Sequence, residues 1–376
     1  MSGVDMQLAE SAEQRELRAS VRRFLADKSS MAAVRELMET VPGYDDAVWK
    51  QAGAQLGLPG LAIPEEYGGA GFSFVEQAIV LEEMGRSLYC GPYFASAVLA
   101  ANALLCGADE AAKHQWLPGI ATGELVATLA FAQDGGAWDG TGSGLTARHD
   151  AGEWRLSGYR SLVLDGHNAD LVLAGARTEA GPSLFAVTGA TPGLAARMVP
   201  TLDQTRRLAH IDFNDVSAQL IGVDGAAGEV LGRTLDRAAL ALAAQQLGGA
   251  QAALDMAVAY AKSREQFDRP IGSFQAIKHR AADLLLEIES TRSAVLYGAW
   301  AVADCSDEVP VVASLAKAYA SDAFAHAAGE NIQMHGGIGF TWEHDAHLYF
   351  KRAAFDQQFL GDSAYHRERL ATRIGL

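Results

Sequence analysis

The sequence predicts an α+β fold in which a helical third, a β third and a second helical third follow one another. Residues 17–25 show the i, i+4, i+7, i+8 spacing of an amphipathic helix. Short apolar runs replace this period from about Glu124, and helical periodicity returns from about Glu229. We therefore expect three domains, over residues 1–123, 124–228 and 229–376.

Apolar periods and turn residues place the elements of the first third. Further helices are predicted at 46–55, 74–84, 94–105 and 110–117. The glycines in 68–71 predict a turn between the first two of these. Residues 88–108 carry no charge and are long enough to span a bilayer. Polar and helix-breaking residues interrupt them, and alanine gives little transfer energy, so we expect a buried helix and no membrane span.

Short apolar runs in the middle third, separated by glycine, aspartate and proline, predict strands at 125–131, 154–164, 171–176, 184–187 and 208–213. No helical period separates them, which favours an antiparallel barrel or sandwich over βαβ units. The glycine-rich residues 135–144 lack the GxGxxG spacing and precede a strand-like segment. We interpret them as a loop between strands, because a dinucleotide fingerprint needs a helix at that point.

The last third is rich in alanine and apolar residues at helical spacing. Residues 277–295 keep one face apolar over five turns, and residues 311–328 continue an alanine-rich pattern. Residues 238–254 carry no charge. Such segments predict close helix packing, including contacts between subunits.

Composition excludes several classes of function. The net charge is −16, from 30 basic and 46 acidic residues, and the pI is near 5.0. A nucleic-acid partner is therefore not expected, although a phosphorylated small molecule needs only one or two local cations. Three cysteines are too few for a disulfide framework. The acidic N-terminal residues resemble neither a secretory signal nor a transit peptide, so we expect a cytoplasmic protein.

One candidate ligand-binding segment covers residues 260–275, where a helix meets a Pro-Gly turn and a new helix. The fixed fork of the Arg264 guanidinium suits a diphosphate. Phe267 and Gln275 could contact the face and edge of an adenine. The alternative is a tight turn between helices without a ligand.

A second candidate segment covers residues 333–340. Its paired glycines, Gly336 and Gly337, allow backbone N–H groups to approach a ligand closely. Here too the alternative is a tight turn. His344 and His347 lie beside two acidic residues, but no further cluster completes a metal shell, so we expect no metal and interpret them as surface residues near a turn.

Together, and in this order, these segments resemble the acyl-CoA dehydrogenase family of flavoproteins over nearly the whole chain. Residues 61–69 (LAIPEEYGG) and 81–85 (LEEMG) carry the resemblance in the first third. It implies an N-terminal helical domain, a middle antiparallel β-barrel and a C-terminal four-helix bundle. It also implies FAD at a subunit interface, in a homodimer or homotetramer.

By position, the resemblance assigns site residues. Arg264, Phe267 and Gln275 would bind the pyrophosphate and adenosine end of FAD, and the neighbouring subunit would contribute Gln333 to Gly337. Asp236 would help to bind the acyl-CoA. The implied reaction of lipid metabolism takes a proton from the carbon next to the thioester and passes hydride from the next carbon to the flavin. An electron-transferring flavoprotein is a possible acceptor.

The sequence departs from the family at the catalytic base. The glutamate position, counted from Phe340, is Leu360, and the alternative base position, 26 residues before Arg264, is Ala238. Neither side chain can take a proton. Gln245 is a third position from which a glutamate would reach inward, but its amide cannot serve as a base, and the alternative is a glutamine that only packs between helices. The base is therefore unknown, with two candidate carboxylates, Asp236 and Asp362.

The middle third departs as well. Residues 132–134 (AQD) and 137–139 (AWD) replace Thr-Glu-Pro and Gly-Ser-Asp on the loop over the flavin. Residues 162–165 (LVLD) replace Trp-Ile-Thr-Asn on the next strand. The tryptophan that packs on the flavin ring and the threonine hydroxyl near N5 are both missing. Backbone groups on these strands could still contact the ring.

Three interpretations fit these departures. In the first, the chain is an acyl-CoA dehydrogenase with an unplaced base. Retention of Asp236 and the N-terminal motifs favours a CoA thioester, so we rank acyl-CoA oxidoreduction first, with either an unplaced base or a base from a partner chain. In the second, it resembles the base-lacking partner in the actinobacterial heterotetramers that oxidise sterol side-chain CoA thioesters. Sequences like residues 339–347 are common in that group. In the third interpretation it is a flavin monooxygenase or oxidase of the same fold.

Overall fold

The computed structural model describes residues 9–133, 138 and 144–376. Residue contacts divide the chain into two compact units. The first unit comprises Met1–Arg35, Phe74–Tyr89 and Ala239–Leu376, and the second comprises Glu36–Ser73 and Cys90–Ala238. Each unit combines segments that are distant in sequence, so the boundaries of the three expected domains stay predictions.

Every helix predicted in the first third is confirmed, and Met31–Met38 is an additional one. The elements are α1 (Ala12–Lys28), α2 (Met31–Met38), α3 (Asp46–Leu56), α4 (Phe74–Arg86), a π-helix (Phe94–Ala100), α5 (Ala101–Leu105) and α6 (Glu110–Thr122). Side-chain caps set several starting points. In the capping box of α1, the hydroxyl of Ser11 accepts a hydrogen bond from the N–H of Gln14, whose side chain accepts one from the N–H of Ser11. Asp45 and Asp109 cap α3 and α6.

The uncharged segment 88–108 forms the predicted buried helix. Its first part, Phe94–Ala100, is a π-helix in which every residue is buried. The hydroxyl of Ser96 donates to the carbonyl oxygen of Ala127 (3.0 Å) and accepts from its N–H (2.9 Å), which ties the π-helix to a strand. Within residues 9–133, 138 and 144–376, no helix is long and apolar enough to cross a membrane.

The described residues of the middle third form a sheet of seven strands. They are β1 (Ala127–Ala130), β2 (Leu145–Asp150), β3 (Glu153–Leu164), β4 (Leu171–Arg177), β5 (Pro182–Thr188), β6 (Leu194–Val199) and β7 (Leu208–Ile221). The five predicted strands are confirmed, and β2 and β6 are additional. The strand β2 follows the glycine-rich loop, most of which lies outside the described residues.

Strand pairing closes the sheet into a barrel. Hydrogen bonds link β4, β2, β3, β7 and β5 in that order, and β5 pairs with β4 to complete the ring. The pairing of β1 with β4 is parallel, where an antiparallel arrangement was predicted, and β2 meets β4 in parallel through one residue pair. Parallel strands need a long connection, and the β2–β3 hairpin, which lies between β1 and β4 in sequence, provides it, so that β4 runs in the same direction as β1. Leu156, Phe185 and Phe213 fill the interior.

The last third is helical, as predicted. A small hairpin, β8 (Glu265–Gln266) and β9 (Arg269–Pro270), separates the first two of its five helices, which are α7 (Ala227–Ser263), α8 (Gln275–Ala303), α9 (Val309–His335), α10 (Ala346–Gln358) and α11 (Ser363–Arg373). The turn at Leu360 separates the last two helices, α10 and α11.

Two glycines let α4 and α7 pack backbone against backbone. A Cβ atom on Gly85 would lie 1.9 Å from the carbonyl oxygen of Gln245. A Cβ atom on Gly248 would lie 1.8 Å from the carbonyl oxygen of Glu82. The close helix packing predicted for the uncharged run is therefore present, and it depends on residues without side chains.

We expect Gly248→Ala to lower the free energy of unfolding by about 1–3 kcal/mol, because the helices must separate to admit a methyl group. Urea unfolding measures the change. Gly232→Ala is the matched control on the same helix, where a Cβ atom would meet nothing within 4 Å. That variant should be neutral or more stable by up to about 1 kcal/mol. Equal losses in both variants would contradict the packing argument.

Candidate functional site

The corner between α7 and α8 brings together the three residues predicted to bind a dinucleotide. The two turn residues of the β8–β9 hairpin, Phe267 and Asp268, have φ of 54° and 59°, the pattern of a type I′ turn. The N–H of Ile271 donates to the carbonyl oxygen of Arg264 (2.8 Å), which fixes the base of the hairpin. Phe267 therefore points outward, with 85% of its surface exposed.

The chemistry of this corner suits a dinucleotide. Arg264 and Gln275 are also exposed. Among the described residues, Arg264 makes no ion pair, so its guanidinium is available to a phosphate. The guanidinium of Arg269 lies 4.0 Å from the centre of the Phe274 ring. Phe267 meets the same ring edge-on, with centroids 6.1 Å apart, so the corner presents an ordered aromatic surface.

The second predicted segment begins where α9 ends. Gly336 has φ of 64°, and a Cβ atom on Gly336 or Gly337 would meet nothing within 4 Å. Both glycines and Gln333 are exposed. The backbone at this point is open to a ligand from outside the chain.

Histidines near this segment form ring contacts. The centroids of Tyr260 and His335 are 4.3 Å apart, as are those of His335 and His344. Burial holds the pKa of His335 below its ordinary value. The prediction that His347 is a surface residue is wrong, because it is buried and stacks on Trp342. In the part of the chain that the structure describes, no group of three or more metal-ligating side chains is placed to hold a metal ion.

The predicted glutamate position, Leu360, lies in a fixed turn between α10 and α11. Its backbone has φ of 64°, in the left-handed region that leucine rarely adopts. His366 donates from Nε2 to the carbonyl oxygen of Leu360 (2.9 Å). The ammonium of Lys317 donates to the carbonyl oxygens of Asp356 and Gly361, each at 3.0 Å. Two buried side chains, from α9 and α11, thus determine the conformation at residue 360.

Burial sets the charges around this turn. It lowers the pKa of Lys317 to about 8, against the opposing charges of three nearby aspartates. Burial, with the charge of Lys317 next in size, lowers the pKa of His366 to about 3. The imidazole of His366 is therefore neutral at pH 7. The third hydrogen of the Lys317 ammonium goes to the hydroxyl of Ser321 (2.8 Å), which also accepts from Gln246 on α7.

The candidate bases differ in their surroundings. A carboxylate oxygen of Asp362 accepts from the N–H of Tyr365 (2.7 Å) and caps α11. Sequence reasoning missed this role, although an aspartate before a helix is its usual signal. Asp236, Ala238 and Gln245 all lie on α7 and are buried.

The predicted flavin loop falls largely outside the described residues, which include Ala132, Gln133 and Trp138 but not Asp134, Ala137 or Asp139. The ring of Trp138 lies 6.1 Å from that of Phe131.

The neighbouring strand is better described. The register of β3 against β7 shifts between Arg160 and Val163. Leu162 and Asp165 have φ of 55° and 53°. Ser161, which sequence reasoning missed, is 4% exposed, and its hydroxyl makes no hydrogen bond to any described residue.

A helical N-terminal region, a closed barrel and a helical C-terminal region are the architecture of the acyl-CoA dehydrogenase class of flavoprotein oxidoreductases. The chain belongs to the acyl-CoA dehydrogenase family. Residues 11–124 match the family described as "Acyl-CoA dehydrogenase, N-terminal domain", and residues 227–375 match "Acyl-CoA dehydrogenase, C-terminal domain". The predicted family and fold are confirmed.

Similar proteins include actinobacterial members. "Acyl-CoA dehydrogenase IpdE2" of Mycobacterium tuberculosis is 37% identical over 362 residues, which are 96% of this chain and 97% of that protein. A chain of a variant of the "Tcur3481-Tcur3483 steroid ACAD" superposes with a TM-score of 0.88 at 32% identity, covering 96% of this chain and 97% of that one. A chain of the ChsE4-ChsE5 complex from M. tuberculosis does so with a TM-score of 0.89 at 29% identity, covering 98% and 99%.

Proposed function

We propose that this protein is an FAD-dependent acyl-CoA dehydrogenase that converts an acyl-CoA thioester to the 2-enoyl-CoA. The observation that carries the proposal is the exposed corner of Arg264, Phe267 and Gln275, on a chain of this family. The bound FAD would accept the hydride. The chain's own residues would bind the cofactor and the thioester and hold them in the relative orientation that the reaction requires.

Each residue at the corner fits a different part of FAD. The guanidinium of Arg264 would pair with the diphosphate, and Phe267 and Gln275 would contact the adenosine end. Gln333, Gly336 and Gly337 would reach the same dinucleotide from the neighbouring subunit, which agrees with their open backbone. Asp236 would help to bind the acyl-CoA.

The proton on the carbon next to the thioester needs a carboxylate base, and Leu360 cannot serve. Asp362 caps α11 and Asp236 lies buried on α7, and these two carboxylates are the candidate bases within the chain. The homomeric form of the proposal needs one of them to serve as the base of a homodimer or homotetramer, with an electron-transferring flavoprotein as the acceptor.

A second candidate function is that of a base-lacking subunit in a heteromeric acyl-CoA dehydrogenase. The observation that favours it is the apolar side chain of Leu360 in a well-ordered turn. Lys317 and His366 donate hydrogen bonds to the carbonyl oxygens of Gly361 and Leu360 in this turn. The similar chain from the ChsE4-ChsE5 complex belongs to an assembly of two different proteins. In a heterotetramer of this kind, a second family chain would supply the base.

The flavin content of the chain purified alone distinguishes the two candidates. For a homomeric enzyme we expect about one FAD per chain, from visible absorption against an independent protein concentration. Little flavin, restored by a companion chain of the same family, supports the heteromeric subunit. Failure to bind flavin and failure to bleach it with any acyl-CoA, both alone and with a companion, would contradict the proposed function.

A further inference from the structure

A cavity of about 120 Å³ lies within the first compact unit, between α1, α4, α7 and α8. Its lining includes none of residues 260–275 or 333–340, so it is separate from the proposed dinucleotide site. The walls are buried apolar side chains, among them Val75, Ala78, Ile79, Leu247, Val295 and Ala299. An apolar cavity of about 150 Å³ in a protein core admits benzene, so this one has room for a ligand of about five or six heavy atoms.

One end of this cavity is lined by ion pairs. The carboxylate of Glu82 pairs with the guanidinium of Arg18 on α1 (2.9 Å) and with that of Arg292 on α8. The same three side chains also line a second, polar cavity of about 330 Å³. A ligand in the apolar cavity therefore has carbon walls along its length and polar groups at one end, the arrangement of a small-molecule site.

The charges at the polar end balance. Four arginines and four carboxylates line the polar cavity, namely Arg18, Arg22, Arg86, Arg292, Glu10, Glu82, Glu83 and Asp255. Because neither sign is in excess, a charged ligand would lose its hydration there without a matching gain. A guanidinium has five N–H hydrogens, and three of those of Arg292 donate to described side chains, so a neutral oxygen can accept from another.

We propose that this cavity binds a small neutral amphipathic molecule, in its simplest form a short-chain alcohol. The alkyl chain lies against Val75, Leu247 and Val295, and the hydroxyl oxygen accepts a hydrogen bond from Arg292 at the polar end. Such a ligand touches α4, α7 and α8 together and stabilises their packing. The site is independent of the proposed function, because neither FAD nor acyl-CoA takes part in it.

Titration calorimetry of the full chain with 1-pentanol tests the site, and pentanoate and pentylamine are its charged analogues of equal chain length. We expect saturable binding of 1-pentanol at one site per chain, with a Kd of about 1 mM from the burial of five carbons. Both charged analogues should bind at least about tenfold more weakly, because each brings an unpaired charge to a balanced site.

Variants that fill the cavity locate the binding. Ala299→Leu, on the α8 wall, should weaken the binding of 1-pentanol at least about tenfold, because its side chain takes the space of the ligand. Ala78→Val is a smaller change on α4 that serves the same purpose if Ala299→Leu does not fold. Ala282→Leu, at an exposed position on α8, is the matched control and should leave the Kd unchanged.

Two kinds of result would overturn the proposal. Absence of saturable binding, or an equal Kd in the unmodified protein and in the folded cavity-filling variants, would mean that the cavity does not hold the alcohol. Binding of pentanoate or pentylamine as tight as that of 1-pentanol would mean that the ligand class is wrong. Neither result involves the flavin, so the proposed function would stand in both cases.

Discussion

Replacing Leu360 by glutamate is expected to give the isolated chain dehydrogenase activity, or to raise it by about 10²–10⁴-fold, the usual contribution of a positioned base. The backbone at residue 360 is already held in place, because Lys317 and His366 bond to the carbonyl oxygens of the turn. Glutamate adopts the left-handed backbone conformation of residue 360 at about the same cost in free energy as leucine does. Burial at this position, where Leu360 is 3% exposed, will raise the pKa of the new carboxylate toward the working pH.

Anaerobic bleaching of the flavin by acyl-CoA, followed by stopped flow, measures this effect. Leu360→Gln is the matched control, because its side chain has the same size and cannot take a proton. Urea unfolding of both variants checks that each is folded. Equal bleaching rates in the two variants would contradict the idea that residue 360 faces a thioester, and the second candidate function would lose its structural basis as well.

The fold was predictable because its sequence signals lie within single helices and strands or follow from the order of these elements along the chain. Helices such as α1 and α4 show their apolar period directly in the sequence. Strands β2 and β6 do not, because they read LTARHD and LAARMV and are largely exposed. Their strand conformation comes from pairing with β3 and β7. The parallel pairing of β1 with β4 is likewise decided by three-dimensional packing.

Only the residues of the candidate site that belong to a recognisable sequence motif could be predicted. The sequence indicated Arg264 and Phe267, whose roles stay predictions, but gave no sign of Lys317 or His366 as supports of the turn. Lys317 reaches the carbonyl of Gly361, which is 44 residues away, and no sequence pattern specifies that contact. The position of Ser161 in a bulge depends on the register of β3 against β7, which a single sequence does not specify.

Replacing His366 by glutamine is expected to make the protein less sensitive to acid. Burial lowers the pKa of His366 from 6.5 to about 3 in the folded chain. Between these values the unfolded chain binds a proton that the folded chain does not bind. The free energy of unfolding therefore falls as the pH falls through this window, by up to about 1.4 kcal/mol per pH unit. Glutamine does not titrate, and its amide N–H can replace the donor to Leu360.

Urea unfolding at pH 7 and pH 5 measures this difference. We expect the unmodified protein to lose about 2 kcal/mol more than His366→Gln over this range. Lys317, whose pKa is about 8, is protonated in both states throughout and does not contribute. The other buried histidines are common to both proteins, so their effects cancel. His279→Gln, at an exposed position on α8, should retain the acid sensitivity of the unmodified protein.

The acid response also tests the turn at residue 360. Protonation at Nδ1 would place a second charge beside Lys317 in a buried site, and the free-energy cost of that charge is relieved when the turn at Leu360 opens to water. Dehydrogenase activity gained through Leu360→Glu should therefore survive to lower pH when His366→Gln is added. If the double variant loses activity at the same pH as Leu360→Glu alone, protonation of the new base, and not opening of the turn, sets the acid limit.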